Sequence, residues 1–109
     1  MSDWKKIVAL EEIPRLGSRV VKGMQGGDIA LFRTAEDKVY ALHDRCPHKG
    51  GPLSQGIVHG EKVTCPLHGW NIGLANGQAV APDVGHTPCV EVKLENGEVF
   101  LKSGSDRIL

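Results

Sequence analysis

The chain has 109 residues, with thirteen basic and thirteen acidic side chains and no net charge. That length suits one domain, since domains commonly run to ~100–150 residues, with room for a modest core. The even balance of charge offers no basic surface for nucleic acid, and no apolar run is long enough to cross a bilayer.

In chain order, Trp4 to Leu10 reads as an opening strand, and Glu11-Glu12-Ile13-Pro14 as a turn where Pro14 ends regular pairing. Arg19 to Lys22 reads as a short strand, followed by a turn at Gly26-Gly27-Asp28. Ile29 to Arg33 and Lys38 to Leu42 then form a hairpin across a polar connection. Gly56-Ile57-Val58 and Lys62-Val63-Thr64 flank His59-Gly60-Glu61 as a smaller hairpin. Trp70 to Leu74 alternates with period two, and Asn76-Gly77 supplies a turn. Near the end, Asn96-Gly97 is a two-residue turn signal, because both residue types tolerate positive φ. Such a loop sets Glu95 opposite Glu98, Leu94 opposite Val99 and Val92 opposite Leu101, with the apolar pairs on one face. No segment has helical periodicity. The expected class is all-β: a small antiparallel sandwich, a single domain over 1–109, with an inserted metal-binding subdomain at about 44–72.

That subdomain contains the chemistry. Cys46-Pro47-His48-Lys49-Gly50-Gly51-Pro52-Leu53 holds a Cys-x-His pair, and Cys65-Pro66-Leu67-His68-Gly69-Trp70 holds a Cys-x-x-His pair. Residues 49–64 separate them. Two thiols and two imidazoles on two similar loops suit a metal. A tetrahedral zinc site can use the same four side chains. Zinc sites, however, mostly put two cysteines on one knuckle and two histidines on the other. One of each per loop fits a centre with two unlike metal positions, one held by Cys46 and Cys65 and the other by His48 and His68.

These two loops, with Gly-Gly-Pro-Leu after the first pair and Gly-Trp after the second, resemble a Rieske [2Fe–2S] domain. The resemblance implies the antiparallel β fold, a Rieske-type [2Fe–2S] cofactor, and Cys46, His48, Cys65 and His68 as its ligands. Two thiolates and two neutral imidazoles cancel the charge of the oxidised core, so one electron makes the site an anion. Four thiolates would leave it negative before any electron arrived, so histidine ligation raises the potential. In the Rieske proteins of respiratory complexes the loops also carry a disulfide, and a serine and a tyrosine donate to the sulfurs. Here Gly51 and Leu67 stand at the disulfide positions, and Trp70 and Ile72 at the hydroxyl positions. With fewer donors the reduced cluster is less stabilised, and the potential is expected at the low end of the Rieske range, around −150 mV.

The stretch from Cys65 to Ile72, with Leu74, Gly77, Ala79, Pro82-Asp83, Gly85 and the tail Val90 to Leu101, is similar to the small subunit of assimilatory NAD(P)H nitrite reductase. That resemblance implies electron transfer beside a large flavin, sirohaem and iron–sulfur subunit that reduces nitrite to ammonium in nitrate assimilation. The alternative is a stand-alone Rieske-type ferredoxin that serves an aromatic-ring-hydroxylating dioxygenase. Either way the chain is an electron carrier within an oxidoreductase system. It has no nucleophile–base set, nucleotide loop or flavin motif of its own. The amino terminus has no apolar leader, and a reducing, cytoplasmic setting suits the cysteine usage. Cys89 is expected as a small buried hydrophobe, His43, His59 and His86 as surface or turn residues, and Trp70 as a packing residue under the loop.

Overall fold

The structure is a computed structural model that describes residues 4–24, 27–47, 51–66 and 69–102. Gly26, His48, Lys49, Gly50, Leu67 and His68 lie outside the described residues. Ten strands follow one another: β1 (Trp4–Ala9), β2 (Gly17–Met24), β3 (Gly27–Arg33), β4 (Val39–His43), β5 (Ile57–His59), β6 (Lys62–Thr64), β7 (Asn71–Gly73), β8 (Cys89–Val90), β9 (Val92–Glu95) and β10 (Glu98–Lys102). The only helical pieces among the described residues are 3₁₀ turns at Leu10–Glu12 and Leu53–Gln55. The class is all-β and antiparallel, as the sequence implies.

The strands form three sheets, ordered β1-β10-β9, β2-β3-β4-β8 and β5-β6-β7. The four-stranded sheet lies between two apolar clusters, and β3 explains why. Its run Ile29-Ala30-Leu31-Phe32 is buried at every position. Ile29 and Leu31 join one cluster with Val8, Ile13, Val99 and Leu101. Ala30 and Phe32 join the other with Leu53, Val58, Val63, Ile72 and Leu74. A strand covered on both faces is expected as a continuous apolar run rather than an alternating one. β8 repeats the division in two residues, with Cys89 in one cluster and Val90 in the other. One residue later, at Glu91, the chain leaves this sheet and begins β9 in the first sheet.

The carboxy-terminal hairpin has the expected register: Glu98 pairs with Glu95, Val99 with Leu94 and Leu101 with Val92. Asn96 and Gly97 both take positive φ, 52° and 75°. The turn expected at Glu11 to Pro14 begins as a 3₁₀ turn at Leu10–Glu12, and the Ile13 that follows it is fully buried. Arg33 secures this turn: its Nη1 donates to the carbonyls of Ile13 at 2.9 Å and Leu10 at 3.3 Å. One expectation changes: His43 is not a surface residue. It ends β4 opposite Ile29 and is 5% exposed, because both faces of its sheet are covered there.

Candidate metal centre

Cys46 follows β4 by three residues, and Cys65 directly follows β6. Both loops are closed the same way. Cys46 N–H donates to the Gly51 carbonyl and Cys65 N–H to the Trp70 carbonyl, each at 2.7 Å. The second closure extends an existing ladder by one step, because Thr64 already pairs with Asn71 and Val63 with Ile72. Outside that ladder, the Thr64 hydroxyl donates to Asn71 Oδ1 at 2.6 Å, and His59 Nε2 lies 2.7 Å from Thr64 Oγ1. These contacts fasten both ends of the second loop.

Among the described residues the first loop continues no such ladder, and side chains brace it. Asp44 accepts from Ser54 N–H at 2.7 Å and from the Ser54 hydroxyl at 2.8 Å. Ser18 on β2 donates its hydroxyl to the Ser54 carbonyl at 2.5 Å. Leu53, fully buried, pins the far side of the loop to the core. Sequence reasoning did not single out Asp44, Ser54 or Ser18. An aspartate entering a loop and a serine leaving it were visible, but their pairing spans ten residues and Ser18 lies thirty-six from Ser54.

Cys46 and Cys65 are 1% and 2% exposed and belong to the same buried cluster. None of the three cysteines is in a disulfide. Two buried thiols on equivalent loop closures suit a soft metal, because sulfur is a soft ligand. Those residues fit an iron–sulfur group. His48 and His68, the other two sequence-derived ligands, lie outside the described residues. Among the described residues no group of three or more His, Cys, Asp and Glu could hold a metal ion. At the positions where hydroxyls would meet the sulfurs, Ile72 is fully buried and Trp70 half-buried against the same cluster. A third loop adjoins the first: a Cβ on Gly85 would come within 3.1 Å of Pro47 Cβ. Cys89 is buried on β8, as expected, and lines a cleft of about 270 Å³ with Trp4, Tyr40, Leu74 and Val92. Of the remaining histidines, His59 and His86 are exposed, as expected.

An all-β base with paired loops that each present a buried cysteine is the framework of an iron–sulfur protein. Residues 3–93 match the model of the Rieske [2Fe-2S] domain, and the chain belongs to that family. Its cofactor is therefore a Rieske-type [2Fe–2S] cluster. The ferredoxin component of the naphthalene 1,2-dioxygenase/salicylate 5-hydroxylase systems of Ralstonia sp. is 32% identical over 101 residues, across 92% of this chain and 95% of that protein. The 4beta-methylsterol monooxygenase of Methylococcus capsulatus is 52% identical over 58 residues, 51% of this chain and only 16% of that enzyme. Among solved structures, the complex of reduced oxygenase and oxidised ferredoxin in carbazole 1,9a-dioxygenase contains a chain that aligns with a TM-score of 0.83 and 25% identity, across 100% of both chains. A chain described as an NADPH nitrite reductase small subunit aligns with a TM-score of 0.79 and 25% identity, across 92% of this chain and 98% of that one. No helix among the described residues is long and apolar enough to cross a membrane.

Proposed function

We propose that this chain is a Rieske-type ferredoxin that carries single electrons to an oxygenase of the aromatic-ring-hydroxylating kind. The observation that carries this reading is the match to the Ralstonia ferredoxin component along 95% of its length. That relative is a ferredoxin component, matched along nearly its whole length. In this reading Cys46 and Cys65 hold one iron and His48 and His68 the other, within a unit at about 44–72 of a single Rieske domain over 1–109. The bound cluster supplies one-electron transfer. The chain's own part is to hold the two loops at fixed spacing and to keep the cysteine side dry. The lack of hydroxyl donors at Trp70 and Ile72 supports a low potential, suited to electrons that come from a nicotinamide–flavin source. The cytoplasm is the setting proposed, on cysteine usage alone.

The second reading is the small subunit of an assimilatory NAD(P)H nitrite reductase, with a large flavin, sirohaem and iron–sulfur subunit as partner. The similarity after His68 and the match to a nitrite reductase small subunit favour it. Full-length sequence similarity gives the oxygenase reading more weight.

The test is reconstitution. The purified protein is expected to contain about two irons and two labile sulfides, and to give an EPR signal on reduction. With NADH and a flavin reductase it is then titrated into the oxygenase component of a naphthalene dioxygenase system, and in parallel into a sirohaem reductase. Product formation with the oxygenase supports the first reading. Nitrite reduction that requires this chain, with no oxygenase turnover, replaces it by the second.

A further inference from the structure

Among the described residues, the first ligand loop has a brace between its entry and its exit, and Asp44 is its centre. Asp44 stands two residues before Cys46. Its N–H donates to the Asp28 carbonyl at 3.0 Å, which fixes the loop's entry to the start of β3. Its carboxylate takes the Ser54 amide and hydroxyl at 2.7 and 2.8 Å, which fixes the loop's exit. Ser54 in turn is tied to β2 by the Ser18 hydroxyl at 2.5 Å. The residue that opens the 3₁₀ turn at Leu53–Gln55 is Pro52, which gives no side-chain cap. Asp44 therefore supplies from ten residues away an acceptor that the turn cannot find locally. One residue thus joins both ends of the segment that contains Cys46.

We propose that Asp44 is a positioning residue for the first ligand loop, holding its entry and its exit together around Cys46. The proposal rests on the assignment of Cys46 as an iron ligand. Two substitutions grade that role. Asn keeps an oxygen for the Ser54 amide and offers an N–H₂ to the Ser54 hydroxyl. Ala removes both bonds.

Holoprotein is compared for the parent, Asp44→Asn, Asp44→Ala and Ser54→Ala. The readouts are decay of visible absorption in an iron chelator and hydrogen exchange of the Ser54 amide, both in the holoprotein. Asp44→Asn is expected to keep chelator lifetime and Ser54 protection within a factor of about two of the parent. Asp44→Ala is expected to shorten the lifetime roughly tenfold or more and to release the Ser54 amide, as loss of its hydrogen bonds implies. Ser54→Ala, which keeps the amide bond to Asp44, should fall between. An Asp44→Ala protein as long-lived as the parent, or an Asp44→Asn protein as short-lived as Asp44→Ala, overturns the proposal. If Cys46→Ala retains a full cluster, the ligand assignment fails instead, a result distinct from either.

Discussion

Strands β1 to β4 and β10 run from five to eight residues, whereas β5, β6 and β7 have three residues each. The sandwich base and the ligand-bearing cap differ as much in their cores. The base packs Val8, Ile13, Ile29, Leu31, Ala41, Val90, Val99 and Leu101, all aliphatic. The cap's cluster includes Cys46 and Cys65 among its buried members. In the base, ladder bonds and aliphatic burial reinforce each other. In the cap, three-residue strands make few ladder bonds, and two of the buried side chains are proposed as metal ligands. Metal binding there is folding free energy as much as redox chemistry.

The largest effect should follow removal of the cluster, by chelation or by Cys65→Ser. Amides of β5, β6 and β7 are expected to lose exchange protection corresponding to several kcal/mol, the scale on which structural metals act in small domains. Amides of β3 and β10 should stay protected. Uniform loss in all sheets would mean that base and cap form one cooperative unit, and the contrast would fail. Next comes Leu101→Ala, in the aliphatic core of the base. It should cost about 2–5 kcal/mol of global stability and leave the visible spectrum and potential of the folded protein unchanged. A shifted potential would show that the base tunes the cluster. Gly56→Ala is the matching change in the cap. A Cβ there would lie 2.2 Å from the Thr64 carbonyl oxygen and 3.1 Å from that of Leu53, both backbone atoms that cannot swing aside. The expected cost is about 1–3 kcal/mol, read as faster cluster loss in chelator with the β1–β10 amides unaffected.

The base was the more legible half, for a physical reason. Asn96-Gly97 and the alternation around it are local signals, and they agree on one register, so the hairpin could be read to the residue pair. The β3 run was legible as a strand, but its two-sided burial depends on sheets built from distant sequence. His43 shows the consequence: nothing near it in sequence says that its end of β4 is covered, and the sequence alone suggests a surface or turn residue. Ile13 was hidden by the turn chemistry around it, since Glu11, Glu12 and Pro14 mark a bend and say nothing of what the bend buries. In the cap, the cysteines were legible because metal ligands come in short, fixed spacings. Asp44, Ser54 and Ser18 were not, because hydrogen bonds between loop ends leave no periodic trace. The third loop at Gly85 was not legible either, since its approach to Pro47 joins segments far apart in sequence.

The smallest expected effect lies at the seam between base and cap. Lys38, just before β4, donates to Glu61, in the turn between β5 and β6, at 3.1 Å, with both side chains largely exposed. The hydrogen bond from Lys38, and then its charge, hold the Glu61 carboxyl below the usual glutamate range. The same bond, and then the Glu61 charge, raise Lys38 above the usual lysine value. Both shifts favour the ion pair. A carboxyl whose folded pKa is depressed stabilises the protein fully above its unfolded value, ~4.3 for Glu. That stabilisation is lost as pH falls through the depressed value. From the lysine side it is present below ~10.4 and lost as pH rises through the raised value. The pair thus contributes across neutral pH, and both losses lie at the extremes. An exposed pair is weak and screened by salt, so the expected effect is a small one. The unfolding midpoint of Glu61→Gln should sit slightly below the parent's at pH 7 and low salt. The gap should close as pH drops below about 4, and should narrow at high salt. A gap that persists undiminished in acid would show that Glu61 acts at this seam through packing and not through its charge.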